Sequence, residues 1–220
     1  MKKKNDRTKL ISIVTAGFVL LSTINVKADI SANVGFESEY IFRGIAQEKS
    51  SAYAGLDYSS NGFYIGTWAA QVTDGLEVDG FFGYSGSSKN KDFSYNLGFT
   101  GYYYTDDFDD TYEEINLGFG YKSFSINSAF GNYDNFDNFN QDYTFISASY
   151  EFDSGLYITV GDFEKDFDGK YFEFGYAFTL GESDAVFKYI SSDSDLTGPS
   201  GDNFLIFNIG KSFLFDNLIK

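Results

Sequence analysis

Residues 37–44 read Glu-Ser-Glu-Tyr-Ile-Phe-Arg-Gly, ESEYIFRG, and bring two carboxylates and a guanidinium into one short run of bulky apolar side chains. Buried in a soluble core, those charges would lose their hydration at a cost of several kcal/mol apiece. On an ordinary surface, the aromatics would form a sticky patch. An extended strand reconciles the two, because successive side chains point to opposite faces. Followed back to Asp29, the segment predicts a strand over 29–42. Ile30, Ala32, Val34, Phe36, Tyr40 and Phe42 share one face; Asn33, Glu37, Glu39 and Arg43 share the other. The fold must then offer an apolar medium to the first face and a polar one to the second.

The same alternation recurs along the chain. Phe93, Tyr95, Leu97 and Phe99 oppose Ser94, Asn96, Gly98 and Thr100. Ile115, Leu117, Phe119 and Tyr121 oppose Glu114, Asn116, Gly118 and Gly120. Phe172, Phe174, Tyr176 and Phe178 oppose Tyr171, Glu173, Gly175 and Ala177. Weaker repeats lie at 50–58, 63–72, 76–84, 124–131, 143–152, 156–162, 184–190 and 203–213, giving about twelve strands. Two of these, 63–72 and 143–152, are apolar on both faces, and periodicity alone leaves their register open.

The links between strands fall into two sets. SSNG (59–62), SGSSKNKD (85–92), KS (122–123), DSG (153–155) and LGES (180–183) are mostly short, with Gly and Ser suited to tight turns. TDDFDDT (105–111), NYDNFDNFNQD (132–142), DFEKDFDGK (162–170) and SSDSDLTGPSGDN (191–203) are longer and acidic. The single proline, Pro199, sits in the last of them, where no ladder hydrogen bond is lost. Short turns at one end and long loops at the other is the asymmetry of an outer-membrane barrel.

Composition narrows the function. The 220 residues contain neither Cys nor His. That removes disulfides, thiolate metal sites, the usual general base and the commonest transition-metal ligand. The chain begins with a basic run, MKKKNDRTK, then LISIVTAGFVLLSTI, then Val26-Lys27-Ala28 as a small-x-small cleavage site, so residues 1–28 are read as a secretion signal. As a single membrane anchor the apolar run is short, and no basic stop-transfer flank follows it. The remaining chain has ten basic and thirty-one acidic residues, a formal charge of −21. Nucleic acid is thereby excluded as a partner, since phosphate binding needs Lys and Arg.

A soluble sandwich or lipocalin-like barrel would alternate too, with the apolar face as core. Three features favour the inverted arrangement. The polar faces are rich in Gly, Ser and Asn, small groups that suit a lumen. The apolar faces carry Phe and Tyr near strand ends, like an interfacial girdle, and Trp68 and Tyr102–Tyr104 are assigned to the girdle or the rim. Finally, Leu205, Phe207, Ile209 and Phe213 alternate up to a near-terminal Phe. The predicted fold is all-β: a membrane-spanning antiparallel up-and-down barrel over 29–213, with a short tail at 214–220.

SEYIFRGIAQ (38–47), GLDYSSNGFYIGTW (55–68), LEVDGFFGYSG (76–86), GYYY (101–104) and TYEEINLGFGYK (111–122) together resemble the TorF-like porin family, in order and spacing. The resemblance extends from Asp29 to Phe213. It implies an outer-membrane barrel of a Gram-negative bacterium that conducts small solutes, with no established substrate. The tail LFDNLIK departs from it, since the chain is expected to stop at the Phe.

The candidate lumen residues are Glu37, Glu39, Arg43, Asp57, Glu77, Asp79, Glu114, Glu173 and Lys188. Glu77 and Asp79 share a face, but no nucleophile or base accompanies them, so the pair reads as pore lining rather than as a catalytic dyad, and the protein as a non-enzyme. Arg43, Glu39 and Lys188 suggest either a charge ladder across the lumen or a salt-bridge network that offsets burial. EKDFDG (164–169) starts like a calcium loop, but Gly175 stands where the bidentate Glu is required. No cofactor is expected. Two functions fit: a cation-preferring channel for passive diffusion of small solutes, or a structural or adhesive barrel with a plugged lumen and acidic loops that bind divalent ions. The expected partners are outer-membrane lipid and lipopolysaccharide, the barrel-assembly machinery and small cations.

Overall fold

The structure, a computed structural model, describes residues 29–135 and 138–215. Residues 1–28, which the sequence predicts to be a secretion signal, and the last five residues of the predicted tail lie outside them.

Twelve antiparallel strands close into a barrel. The first is β1 (Asp29–Glu37), after which the chain leaves the wall for a small hairpin, β2 (Tyr40–Phe42) and β3 (Ile45–Glu48). It rejoins the wall as β4 (Ser51–Ser60) and continues through β5 (Phe63–Gln71), β6 (Leu76–Ser87), β7 (Phe93–Tyr104) and β8 (Thr111–Tyr121). The circuit runs on through β9 (Phe124–Asp134), β10 (Gln141–Glu151), β11 (Leu156–Lys165) and β12 (Gly169–Leu180). It ends with β13 (Ser183–Ser192), a one-turn helix α1 (Ser194–Thr197) and β14 (Asp202–Leu214). Each wall strand pairs with its sequence neighbour, and β1 pairs with β14 from Ser31–Leu214 to Glu37–Asn208, which closes the ring. Closure leaves the barrel sheet itself without an edge strand.

The alternation sorts the side chains as the sequence requires. Ile115 and Phe119 on β8, like Phe172, Phe174 and Tyr176 on β12, point outward and are exposed. Glu114, Asn116 and Glu173 point inward and are buried. No helix among the described residues is long and apolar enough to cross a membrane, which says nothing about crossing by strands.

The two ambiguous strands resolve by parity. On β5, Phe63 and Ile65 face out while Trp68 and Ala70 face in. On β10, Ile146 and Tyr150 face out while Tyr143, Phe145 and Ser147 face in. Their inner faces are apolar because they have something apolar to pack against.

That something is the stretch ESEYIFRG, and here the sequence reading is corrected. The strand does not run from 29 to 42; it ends at Glu37. Ser38 fixes the departure point, donating its amide to the Phe207 carbonyl (2.9 Å) and accepting from the Phe207 amide through Oγ (2.9 Å). Tyr40 and Phe42, assigned to lipid, instead enter the bore, where Tyr40 is 1% exposed. Arg43 and Gly44 turn the hairpin with φ of 49° and 87°. Positive φ at both central residues is the two-residue turn whose twist matches flanking strands. Gly44 also lacks room for a side chain, since a Cβ there would lie 2.8 Å from Leu196 Cδ1 and 2.9 Å from Ser192 Oγ.

Candidate functional site

The hairpin springs from β1 and reaches β8, which is five strands away round the ring in one direction and seven in the other. Its tip therefore meets the wall nearly opposite its root. Arg43 carries the contact. Its Nη1 and Nη2 donate to the two oxygens of Glu114 at 2.5 and 3.0 Å, a bidentate pair. The guanidinium lies 4.7 Å from the Phe42 ring centroid and 4.4 Å from that of Phe145, so its faces are covered by rings whose quadrupoles favour a cation.

Glu114 is the hub of the bore. Besides Arg43 it accepts from Tyr102 OH (3.0 Å), Tyr143 OH (2.7 Å) and Asn116 Nδ2 (2.9 Å). Five donors from β7, β8, β10 and the hairpin saturate one carboxylate, which offers about four lone-pair sites. The hairpin is held elsewhere too. Tyr40 OH donates to Glu77 Oε1 (2.7 Å), Ser192 Oγ to the Gly44 carbonyl (2.7 Å) and Thr73 Oγ1 to the Gln47 carbonyl (2.9 Å). Tyr40 also meets Trp68 edge-on at 5.7 Å between centroids. Over the tip sits α1, capped by Asp193 Oδ1 accepting from the amides of Asp195 and Leu196. Leu196, like Ile45, Phe167 and Tyr171, packs against the buried cluster of Ala129, Tyr143, Phe145 and Phe163.

A second network lies near the root of the hairpin. Glu37 Oε1 accepts from Asn208 Nδ2 (2.6 Å), Lys188 Nζ approaches Glu37 Oε2 (3.9 Å), and Tyr157 OH donates to Glu173 Oε1 (2.5 Å). Several of the inward tyrosines lie flat over inward glycines of the next strand: a Cβ at Gly175 would fall inside the Tyr157 ring, and one at Gly131 inside that of Tyr143. The glycines of the polar faces are thus seats for rings as much as space for a lumen.

The candidate residues are therefore placed as follows. Glu37, Glu77, Asp79, Glu114, Glu173 and Lys188 are buried on the inner face of the wall. Asp57 is half-buried there, accepting from Asn33 Nδ2 (3.5 Å). Glu39 is half-buried in the bend before β2, away from any wall strand. Arg43 is inside the bore but on the hairpin, and the suggested ladder Arg43–Glu39–Lys188 does not form: Arg43 pairs with Glu114 and Lys188 with Glu37. The girdle assignment is corrected likewise. Trp68 and Tyr102 face inward, and of the tyrosine run only Tyr103 stands exposed on the outer face. The sequence reading missed Tyr40, Tyr102, Tyr143 and Asn116 as ligands of the buried carboxylates. Among the described residues, no three carboxylates gather into a metal-binding set, in the loops or elsewhere.

Residues 23–162 match a family described as bacterial proteins of unknown function, Gcw_chp. The chain belongs to the Gcw_chp family. No curated protein sequence matches it. Among solved structures, the KdgM porin aligns with a TM-score of 0.54 at 11% identity, covering 84% of this chain and 99% of that one. A chain from work on in-meso crystallisation of membrane proteins aligns with a TM-score of 0.57 at 11% identity, covering 86% and 85%. OprD of Pseudomonas aeruginosa gives a TM-score of 0.44 at 12% identity over 85% of this chain and 66% of its own. At such identities the first two establish a shared barrel fold and nothing finer.

Proposed function

We propose that this Gcw_chp protein is an outer-membrane channel of a Gram-negative bacterium, porin-like and non-enzymatic. Small solutes pass by passive diffusion, cations are preferred, and the β2–β3 hairpin forms the constriction. The observation that carries the reading is the charge of the bore: five buried carboxylates against Lys188 and the hairpin's Arg43. Low-dielectric walls focus that field, so cations concentrate at the entrance and anions are repelled. The apolar outer face gives the barrel its lipid contact, with lipopolysaccharide on the side of the long loops. The resemblance to TorF-like porins and the fold shared with the KdgM porin both support this assignment.

Reversal potentials across a KCl gradient in planar bilayers test the preference. Cation selectivity is expected, and its loop-borne part should fade as salt rises, because the Debye length shrinks from about 10 Å at 0.1 M to about 3 Å at 1 M. Anion preference would overturn the proposal. In fractionation, the protein should stay with the outer membrane until detergent is added and should lack residues 1–28; recovery from the soluble periplasm would contradict it.

A second reading is favoured by the same hairpin, because a segment that crosses the bore and is bonded at both walls is also a plug. In this alternative the barrel is structural or adhesive. Replacing residues 38–49 with a short Gly-Ser link separates the two. A channel conducts before the replacement and conducts more after it. A plugged barrel is silent before and opens only once the hairpin is gone.

A further inference from the structure

Of the five buried carboxylates in the bore, three have a cation committed to them: Glu114 has Arg43, Glu37 has Lys188 together with the Asn208 amide, and Glu173 has the charge of Lys188 close by together with the Tyr157 hydroxyl. The other two stand together. Glu77 and Asp79 are two residues apart on β6, hence on one face, and are 1% and 5% exposed. Glu77 Oε1 takes the Tyr40 hydroxyl, and the Tyr104 hydroxyl also stands by the Glu77 carboxylate, but Glu77 Oε2 and Asp79 Oδ1 are enclosed without a well-aligned hydrogen-bond donor. Arg43 stands near enough to act on both charges, yet its donors are committed to Glu114. Neutral tyrosines and Trp68 make up the surroundings: Asp79 lies directly between Trp68 on β5 and Tyr102 on β7, and Glu77 lies opposite Tyr104. Two carboxylates withdrawn from water without a counter-charge are strongly disfavoured.

We propose that Glu77 and Asp79 form a binding site for one calcium-like divalent cation in the bore, at the foot of the hairpin. The chemistry selects the class. All the free donor atoms are hard carboxylate oxygens, with neither imidazole nor thiolate in the chain, which suits Ca²⁺ rather than a softer transition metal. Two negative charges match a divalent ion. Calcium also accepts irregular, partly hydrated coordination, as a pair of carboxylates requires, where magnesium demands near-octahedral geometry. Because Tyr40 of the hairpin shares Glu77 with the ion, occupancy would brace the hairpin against β6. The site does not depend on whether the barrel conducts.

The lone tryptophan makes the test specific. Trp68 is paired in register with Asp79, so Tb³⁺ bound there as a calcium probe should luminesce when the indole alone is excited. Purified protein in detergent, titrated with Tb³⁺, should give a saturable signal that Ca²⁺ displaces. Trp68→Phe should abolish the signal, and so should Glu77→Gln with Asp79→Asn. Asp106→Asn with Asp107→Asn, in an acidic loop, should leave it intact. Heat-modifiable gel mobility establishes that each variant is folded. If the Glu77/Asp79 pair variant does not fold, Ca²⁺-dependent change in the wild-type Trp68 emission decides instead. A signal that survives in the folded pair variant, or the absence of any Trp68-sensitised signal and any Ca²⁺ response in the wild type, overturns the site.

Discussion

Replacing Glu114 with Gln should release the hairpin, at a cost of about 3–5 kcal/mol, the range for removing one partner of a buried ion pair. The amide keeps the volume of the carboxylate but leaves Arg43 buried between Phe42 and Phe145 without its counter-charge. The loss should be local, because the wall ladders β7–β8 and β8–β9 do not depend on this side chain. At about 1.4 kcal/mol per tenfold, the open population should rise by roughly two to three and a half orders of magnitude. Hydrogen exchange of the β2 and β3 amides reads that population directly. Arg43→Met should cost less, since Glu114 would still accept from Tyr102, Tyr143 and Asn116. Arg43→Met combined with Glu114→Gln should be milder than Glu114→Gln alone, because neither member of the pair is then left as a charge without its partner. Unchanged protection of the hairpin in Glu114→Gln would mean that the Gly44, Gln47 and Ser38 contacts hold it unaided.

The wall of the barrel was legible in the sequence because one rule, period two, governs every strand of it. The hairpin was not, and the reason lies in the same rule. Tyr40 and Phe42 continue the even-numbered apolar face begun by Ile30 and Val34, and an aromatic suits lipid or an aromatic-lined bore equally well. Two signals were nonetheless present. A strand from 29 to 42 is fourteen residues, whereas about 9–11 suffice to cross a bilayer; the observed β1 has nine. Arg43-Gly44 between two apolar runs is also a place where positive φ can be adopted at a tight turn. The double-sided apolarity of 63–72 and 143–152 has the same origin, since Trp68 and Phe145 are inner-face residues serving the hairpin. The inward carboxylates could be placed on a face by parity. Their partners could not, because Arg43–Glu114 joins residues 71 apart through a segment that had left the wall.

Leu117→Arg should destabilise the barrel by about 2–4 kcal/mol in a bilayer if the outer face meets lipid, that being the cost of a midplane cation on a barrel's lipid face. Leu117 lies near the middle of β8, between the exposed Ile115 and Phe119, and is paired in register with Leu97 and Ser128. Near a strand's centre, the guanidinium has the longest distance to snorkel to either interface, so the penalty should approach its maximum. Phe174→Arg, at the centre of β12, should behave alike. The matched control is Asn127→Arg on β9. Asn127 pairs in register with Gly118, one step from Leu117, but its side chain lies on the inner face, where the bore is polar and acidic. There an added cation should be tolerated, and it should lower cation selectivity without unfolding the wall. Unfolding in urea from lipid vesicles, followed by heat-modifiable gel mobility, compares the three directly. Equal tolerance of Arg at positions 117, 174 and 127 would show that the outer face is not in lipid, and would take the channel proposal down with it.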